Sequence, residues 1–285
     1  MRILIFGGDG MLGHRLLRHF APRYDTRVTL RQPLESYRVF GMFDGANAYG
    51  AIDVRDVGKV QQALSDFKPE AVINAAGVIK QRTDAHDDVL SIEINSFFPL
   101  LLARMCRKVR ARLIHISTDC VFSGSKGNYT EADRPDPVEI YGYSKLLGEV
   151  ALPGCITLRT SIIGRELSRK RSLFEWFLAQ RGEVHGYMNA IYTGFTTIEM
   201  ARILEKLITQ FPASSGIYHV SSSPISKFDL LSLIRKRFKL GVTLAANYEF
   251  KCDRSLDSTR FRHDFSYTPP TWESMIDELA VDVGS

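Results

Sequence analysis

Cysteine is scarce in this chain and forms no useful pattern. Only Cys106, Cys120, Cys155 and Cys252 occur among the 285 residues. No Cys-x-x-Cys pair or Cys/His cluster appears, so neither a zinc site nor a disulfide framework is indicated and no metal is expected. Long apolar runs are also missing: none reaches the length of a membrane span. The opening Met1-Arg2-Ile3-Leu4-Ile5-Phe6 passes into a strand-like segment and reads as no signal peptide. No internal repeat or low-complexity stretch is visible. Neither sign of charge dominates, with 37 Lys+Arg against 32 Asp+Glu and a net charge of +5. So mild a balance fits an anionic small ligand or a solvated basic surface, and does not call for nucleic acid. The expectation is a reduced, cytoplasmic protein with neither a membrane nor a nucleic acid as partner.

What is present is alternation. At 45% hydrophobic and 24% charged residues, the chain can build one large α/β domain, with or without a smaller lobe. Short β-branched runs at 3–6, 27–30, 71–74 and 112–117 read as buried strands. Between them, 11–20, 57–67 and 92–108 carry apolar residues at helical spacing. Such alternation predicts an α/β fold, a doubly wound parallel sheet of the Rossmann type. A polar loop, 123–138, leads to a short helix, and 156–160 reads as the next strand. Beyond it the pattern breaks: 165–171 is polar and basic, 172–180 a short aromatic helix, 183–192 irregular. Residues 196–211 and 227–238 are helical and 216–220 a strand. The tail from 244 is mostly loop, with a last helix near 272–281. The expected division is a dinucleotide-binding domain over 1–160, to which 195–211 returns, and a smaller substrate-binding lobe over 161–285.

Gly7, Gly10 and Gly13 follow a strand and open a helix, the context in which a glycine cluster signals dinucleotide binding. Gly7 suits the tight turn, Gly10 the close approach of a pyrophosphate, and Gly13 the packing of helix on strand. The N–H groups around Met11 and Leu12 then face the anion at the helix N-terminus. The second strand ends at Arg31, where an acid would bind the ribose 2′-OH of NAD. A guanidinium there matches a 2′-phosphate, so NADP is expected, while Glu35 keeps NAD possible. Asp53-Val54 suits the adenine edge, or Asp53 caps the following helix. Small residues Ala75, Ala76 and Gly77 after another strand let the backbone lie against the cofactor.

Tyr141 and Lys145 lie four apart, on one helix face, about twenty residues after Ser117-Thr118-Asp119. Hydride transfer at a carbon bearing oxygen needs a proton donor beside that oxygen. A tyrosine titrates near ~10 unless perturbed, and a nearby cation lowers that value. The expectation is that Tyr141 moves the proton, Lys145 holds it acidic, and Thr118 binds the substrate oxygen. Tyr143 points elsewhere and is expected to pack. Lys145 and Tyr141 also count among the cofactor neighbours.

These residues carry a resemblance. Gly7-x-x-Gly10-x-x-Gly13, Asn74-Ala-Ala-Gly77, Asn95, Ser117-Thr-Asp-Cys-Val-Phe-Ser-Gly124, Tyr129-x-Glu131-x-Asp133-x-Pro135 and Tyr141-Gly-x-Ser-Lys-x-x-Gly-Glu149 resemble the extended short-chain dehydrogenase/reductases. Within them the chain is similar to the nucleotide-sugar reductase branch around dTDP-4-dehydrorhamnose reductase. The match runs nearly unbroken to about residue 165 and is looser after it. It implies Tyr141 as general acid, Lys145 as its electrostatic partner and ribose ligand, and Thr118 as the carbonyl-binding hydroxyl. Asn95 would stand by the cofactor in a structural or proton-relay role, and Val121 and Phe122 near the substrate.

Departures are visible. Cys120 replaces the branch's usual tyrosine, as a small strand-end residue or a reactive thiol. Asn189 lies in a stretch that only loosely echoes the branch's substrate-contact segment. No glutamate follows Asp119, which argues against the dehydratases of the same superfamily. Arg165, Arg169, Lys170 and Arg171, with Arg254 and Arg260, are candidates for the substrate diphosphate, the loop being otherwise a solvated surface. His185 and His219 are expected to be structural. The resemblance implies NADP-dependent reduction of a nucleotide-linked 4-keto-6-deoxy sugar, for deoxysugar and surface-polysaccharide synthesis, by a possible homodimer. An NAD-retaining epimerase and a non-catalytic NADP-binding regulatory subunit are the alternatives.

Overall fold

A computed structural model describes residues 1–78, 88–168 and 170–284. In chain order its strands are β1 (Arg2–Phe6), β2 (Asp25–Thr29), β3 (Ala48–Tyr49), β4 (Ala71–Asn74), β5 (Arg112–Thr118) and β6 (Cys155–Thr160). They continue with β7 (Ile162–Ile163), β8 (Glu183–Tyr192), β9 (Phe195–Thr196), β10 (Gly216–His219), β11 (Ile225–Ser226) and β12 (Thr243–Asp253). The helices are α1 (Met11–Phe20), α2 (Val57–Phe67), α3 (Asp88–Ile92), α4 (Phe98–Val109) and α5 (Ile140–Leu147). After them come α6 (Leu173–Leu178), α7 (Thr197–Gln210), α8 (Lys227–Arg237), α9 (Thr259–Asp264) and α10 (Trp272–Gly284).

Seven strands form one parallel sheet in the order β10-β6-β5-β4-β1-β2-β3. The strands read as unbroken apolar runs because both faces are covered. Ile3 and Ile5 pack on one side with Leu12, Leu16 and Phe20 of α1 and Leu204 of α7. Leu4 and Phe6 pack on the other with Val60 and Leu64 of α2 and Phe98 and Leu102 of α4. The fold is thus doubly wound, and α7 packs against α1 on the main sheet. After β1 the chain builds outward through β2 and β3, then returns to place β4 on the other side of β1. The carboxyl ends of β1 and β4 therefore flank the switch point, where such sheets bind ligands.

Three readings of the sequence need correction. Residues 183–192 are not irregular: they form β8, whose inward positions include Val184, Gly186, Ala190 and Tyr192. The tail from 244 is not mostly loop, since β12 pairs in parallel with β8 and leaves its register between Asn247 and Lys251. Both join β11 in a separate three-stranded sheet. The stretch Asp88–Val109 is, at 22 residues, long and apolar enough to cross a membrane, against the expectation that no run is. Its apolar face, however, is spent on the sheet through Phe98, Leu102, Ala103 and Cys106, as in a core helix.

One buried ion pair ties the site's supports together. Arg159 on β6 donates to Glu149, just past α5, through Nε at 2.8 Å and Nη2 at 2.7 Å. Ser117 Oγ donates to the same carboxylate at 2.8 Å. The two charged side chains are only 6% and 3% exposed. His219 on β10 donates from Nδ1 to the Tyr129 carbonyl at 2.9 Å and accepts from Arg159 Nη1 at 3.2 Å. Removing one partner of such a pair leaves an uncompensated buried charge. Glu149→Ala should therefore cost about 3–5 kcal/mol of stability, read as a lower midpoint in urea unfolding followed by circular dichroism. A midpoint within error of the parent's would mean that the pair adds nothing.

Candidate active site

At the end of β1 the chain turns at Gly7, whose φ is +88°, and a Cβ there would sit 2.8 Å from the Ala76 nitrogen. Only glycine tolerates both conditions. Gly13 does not line the cleft: a Cβ on it would collide with the Gly7 carbonyl, so it serves by letting α1 close on the turn. Gly10 caps α1 without a side-chain hydrogen bond, which leaves the helix's first N–H groups for a ligand. The cleft runs from this turn past Met11, Leu12, Ala75, Ala76 and Gly77 to Thr118, Tyr141 and Lys145, with a volume of about 380 Å³. These residues fit a dinucleotide.

At the cleft's outer end, Arg31 Nε is 3.7 Å from Asp53 Oδ2, and the Arg31 side chain is 43% exposed. Asp53 belongs chiefly to Arg55, which donates through Nη2 at 2.8 Å and Nε at 3.0 Å. That pairing, helped by Arg31, holds the Asp53 carboxyl down at about 2. Arg31 is thus free to turn to another anion. Asp53 does not cap α2, because Asp56 does, accepting from the Lys59 nitrogen at 3.1 Å. Val54 lines the same wall. Glu35 is exposed and not among the cleft residues.

Asn95 is fully buried and does not line the cleft. It sits in a π-helical bulge, Glu93–Phe97, between α3 and α4. Its Oδ1 accepts from the Val78 nitrogen at 2.9 Å. Its Nδ2 donates to the Val78 carbonyl at 3.0 Å and to Ser144 Oγ at 3.1 Å. With its amide spent this way, Asn95 joins the Val78 end of the cleft wall to α5.

α5 brings the Tyr141 phenol beside the Thr118 side chain. The Thr118 hydroxyl donates to Asp119 Oδ1 at 3.2 Å and accepts from the Cys120 nitrogen at 3.1 Å. Burial pushes the Tyr141 phenol up, and Cys120 and Asp119 push the same way. Lys145 does not offset them. Its Nζ is held on the Ile116 carbonyl at 2.6 Å, and burial pulls it down to about 8. In this structure the Lys145 ammonium is therefore directed at the Ile116 carbonyl and not at Tyr141, and burial favours the protonated phenol. Tyr143 does not pack, being 50% exposed.

The substrate candidates fare less well. Val121 and Phe122 are wholly buried, Phe122 stacked on Tyr129 at 4.1 Å between ring centroids, so neither faces the cleft. Arg165 is paired by Nε with the buried Glu175 at 3.1 Å. Arg169 lies outside the described residues. Asn189 is exposed on β8 and donates to the Tyr248 carbonyl at 2.9 Å, a cross-strand bond. Arg254 stands beside the cleft, donating to the Phe122 carbonyl at 2.9 Å and to Cys120 Sγ at 3.4 Å. Cys120 lines the cleft, and burial raises its thiol to about 12, far from a reactive thiolate. The cleft presents instead Ser161, Tyr192 and Lys227. In the sequence Tyr192 stands only within the stretch 189–197, which loosely echoes a substrate-contact segment, and Ser161 and Lys227 are not singled out. The pairing of β11 with β8 is what brings 192 and 227 together.

The chain is 25% identical over 309 residues to dTDP-4-dehydrorhamnose reductase of Aggregatibacter actinomycetemcomitans, covering 98% of each. It is 29% identical to the methionine adenosyltransferase 2 subunit beta of Bos taurus, over 59% of this chain and 48% of that one. In fold it is similar to dTDP-4-dehydrorhamnose reductase of Bacillus anthracis str. Ames, solved in complex with NADP. There the TM-score is 0.81 and the identity 21%, over 99% of each chain. The family model described as RmlD substrate binding domain matches residues 1–284, and the chain belongs to that family.

Proposed function

We propose that this protein reduces the keto group of a nucleotide-linked sugar, with Tyr141 as the proton donor. One observation carries the reading: a glycine turn at an uncapped helix N-terminus opens into the same cleft as Thr118, Tyr141 and Lys145, with the phenol protonated. The full-length likeness to dTDP-4-dehydrorhamnose reductase supports a 4-keto-6-deoxy sugar as substrate and deoxysugar synthesis, for surface polysaccharide, as the setting. NADPH, when bound, supplies the hydride. Gly7 and Gly10 with the N–H groups at Met11 and Leu12 would hold its diphosphate, and Arg31 its 2′-phosphate. Arg31 in place of an acid, with Glu35 outside the cleft, favours NADP over a retained NAD and so a reductase over an epimerase.

The chain's own residues do the rest. Thr118 turns its hydroxyl to the substrate oxygen and steadies it. Tyr141 gives that oxygen its proton. Lys145, by leaving the Ile116 carbonyl, reaches a ribose hydroxyl and balances the phenolate. The likeness to a methionine adenosyltransferase beta subunit motivates the regulatory alternative, against which the intact Thr118/Tyr141/Lys145 set stands. We place the protein in the cytoplasm, in accord with its four free cysteines. A homodimer would cover Ile92, Phe97, Leu100, Tyr143 and Leu147, all exposed on the adjoining segments α3 to α5.

Tyr141→Phe should lower turnover at least ~100-fold and leave NADPH affinity nearly intact. Both are read from NADPH absorbance and fluorescence with dTDP-4-keto-6-deoxy sugar as substrate. Near-parental turnover would end the catalytic assignment, and no turnover by the parent would favour the regulatory role. Arg31→Asp should shift the NADPH/NADH preference toward NADH by about tenfold or more, the worth of one charge-assisted contact.

The alkaline side of the pH profile tests Lys145. It is charged below about 8 and neutral above, while the Tyr141 phenol keeps its proton through that range. The kcat/KM should therefore fall as pH rises through about 8. Lys145→Arg, whose side chain stays charged, should move that fall to higher pH. A fall at the same pH in the variant would assign it to another group.

A further inference from the structure

Tyr192, at the end of β8, carries a buried hydroxyl that finds no partner in hydrogen-bonding geometry among the described residues. The residue is 5% exposed and lines the cleft. Gly194 makes room for the hydroxyl, since a Cβ there would collide with it, and the Ser161 side chain lies beside it. A buried polar group left unpaired costs stability, because its desolvation is not repaid by a hydrogen bond. Repacking to phenylalanine would remove that cost.

Lys227 stands over this ring. It is the first residue of α8, and its Nζ lies 4.2 Å from the Tyr192 ring centroid. The ammonium lines the cleft and makes no ion pair within 4.0 Å among the described residues. Burial works against its charge, and Asp119 is the carboxylate that favours it. Asp119 also feels Arg254, so two cations share this buried carboxylate. The ammonium and the hydroxyl are both donors with hydrogens to spare. They stand on the lobe opposite the glycine turn, on the same cleft as Thr118 and Tyr141.

We infer that Lys227 and Tyr192 form a donor pair that recognises acceptor oxygens on the sugar ring, hydroxyl or carboxylate, and so selects which nucleotide sugar is reduced. This rests on the proposed nucleotide-sugar reduction and names the residues that read the sugar. Fixed donors of this kind discriminate strongly, because a sugar lacking the matching oxygen leaves them unpaired. A carboxylate would gain from the excess cation, and a hydroxyl would gain only the hydrogen bonds.

The test is calorimetric titration of the NADPH-loaded protein with UDP, UDP-glucose, UDP-glucuronate, dTDP and dTDP-glucose. What is read is the gain in affinity that the sugar adds to its own nucleotide. Lys227→Met should reduce that gain about tenfold or more and leave the affinities for UDP, dTDP and NADPH unchanged. Lys227→Arg should keep most of the gain. Tyr192→Phe should reduce it several-fold while raising the melting temperature or leaving it unchanged, which a structural role would not do. If the loss is largest for UDP-glucuronate, the oxygen is a carboxylate; if it is equal across the three sugars, it is a hydroxyl. A gain unaltered in both Lys227→Met and Tyr192→Phe, or nucleotide and sugar affinities falling in parallel, would overturn the pair. A parent that binds NADPH but none of these nucleotides would overturn the nucleotide-sugar reading itself. Should Lys227→Met fail to fold, Tyr192→Phe decides alone.

Discussion

The buried pair between Glu149 and Arg159 fixes the distance on which the proposed chemistry depends. Thr118 comes from the end of β5, whereas Tyr141 and Lys145 come from α5, some twenty residues later. Nothing local holds a strand end and a separate helix at hydrogen-bonding distance. Glu149, two residues past α5, is clamped to Arg159 on β6 and to Ser117, the neighbour of Thr118. Buried ion pairs often add little net stability, because desolvation offsets attraction. Their geometry is nevertheless directional, with the guanidinium fork matching one carboxylate. Here that direction sets where α5 sits.

Close approach finishes what the ion pair begins. Side chains larger than hydrogen at Gly142 or Gly148 would collide with the Cys120 and Asn95 carbonyls. α5 is thus pressed against the turn after Thr118 on one side and against the Glu93–Phe97 bulge on the other. Bulges of this kind redirect side chains at functional sites. This one aims Asn95 at Val78 and Ser144, which couples the cleft wall to α5. A family motif therefore contains residues whose polar atoms are spent within the protein, and Asn95 is one of them.

The sheet was legible in the sequence because its strands are buried on both faces and read as short apolar runs bounded by turns. Met11–Phe20, Val57–Phe67 and Ala71–Asn74 coincide with the expected spans. The second sheet was not legible. In β8 two inward positions are Gly186 and Ala190, small because Phe228 crowds Gly186, so the alternation carried little hydrophobic signal. β12 is largely exposed and interrupted in register, and its polar composition matches a loop. Composition also misled in the basic loop: Arg165 is spent on Glu175, which lies on a short helix read only as aromatic.

Helix α5 shows the limit of spacing as a guide to chemistry. Four residues apart places Tyr141 and Lys145 on one face, but not in one interaction. A lysine stem is long enough to choose between partners, and here the ammonium takes the Ile116 carbonyl, a backbone acceptor that no sequence pattern announces. Burial then acts oppositely on the two groups, raising the phenol and lowering the ammonium, because each is disfavoured in its charged form. The pair thus rests as a protonated phenol beside a weakened cation. Such a site holds the proton that reduction calls for and releases it only where the phenolate left behind is stabilised. Anything that draws Lys145 off its carbonyl and toward the phenol would lower the cost of the phenolate that proton donation leaves behind.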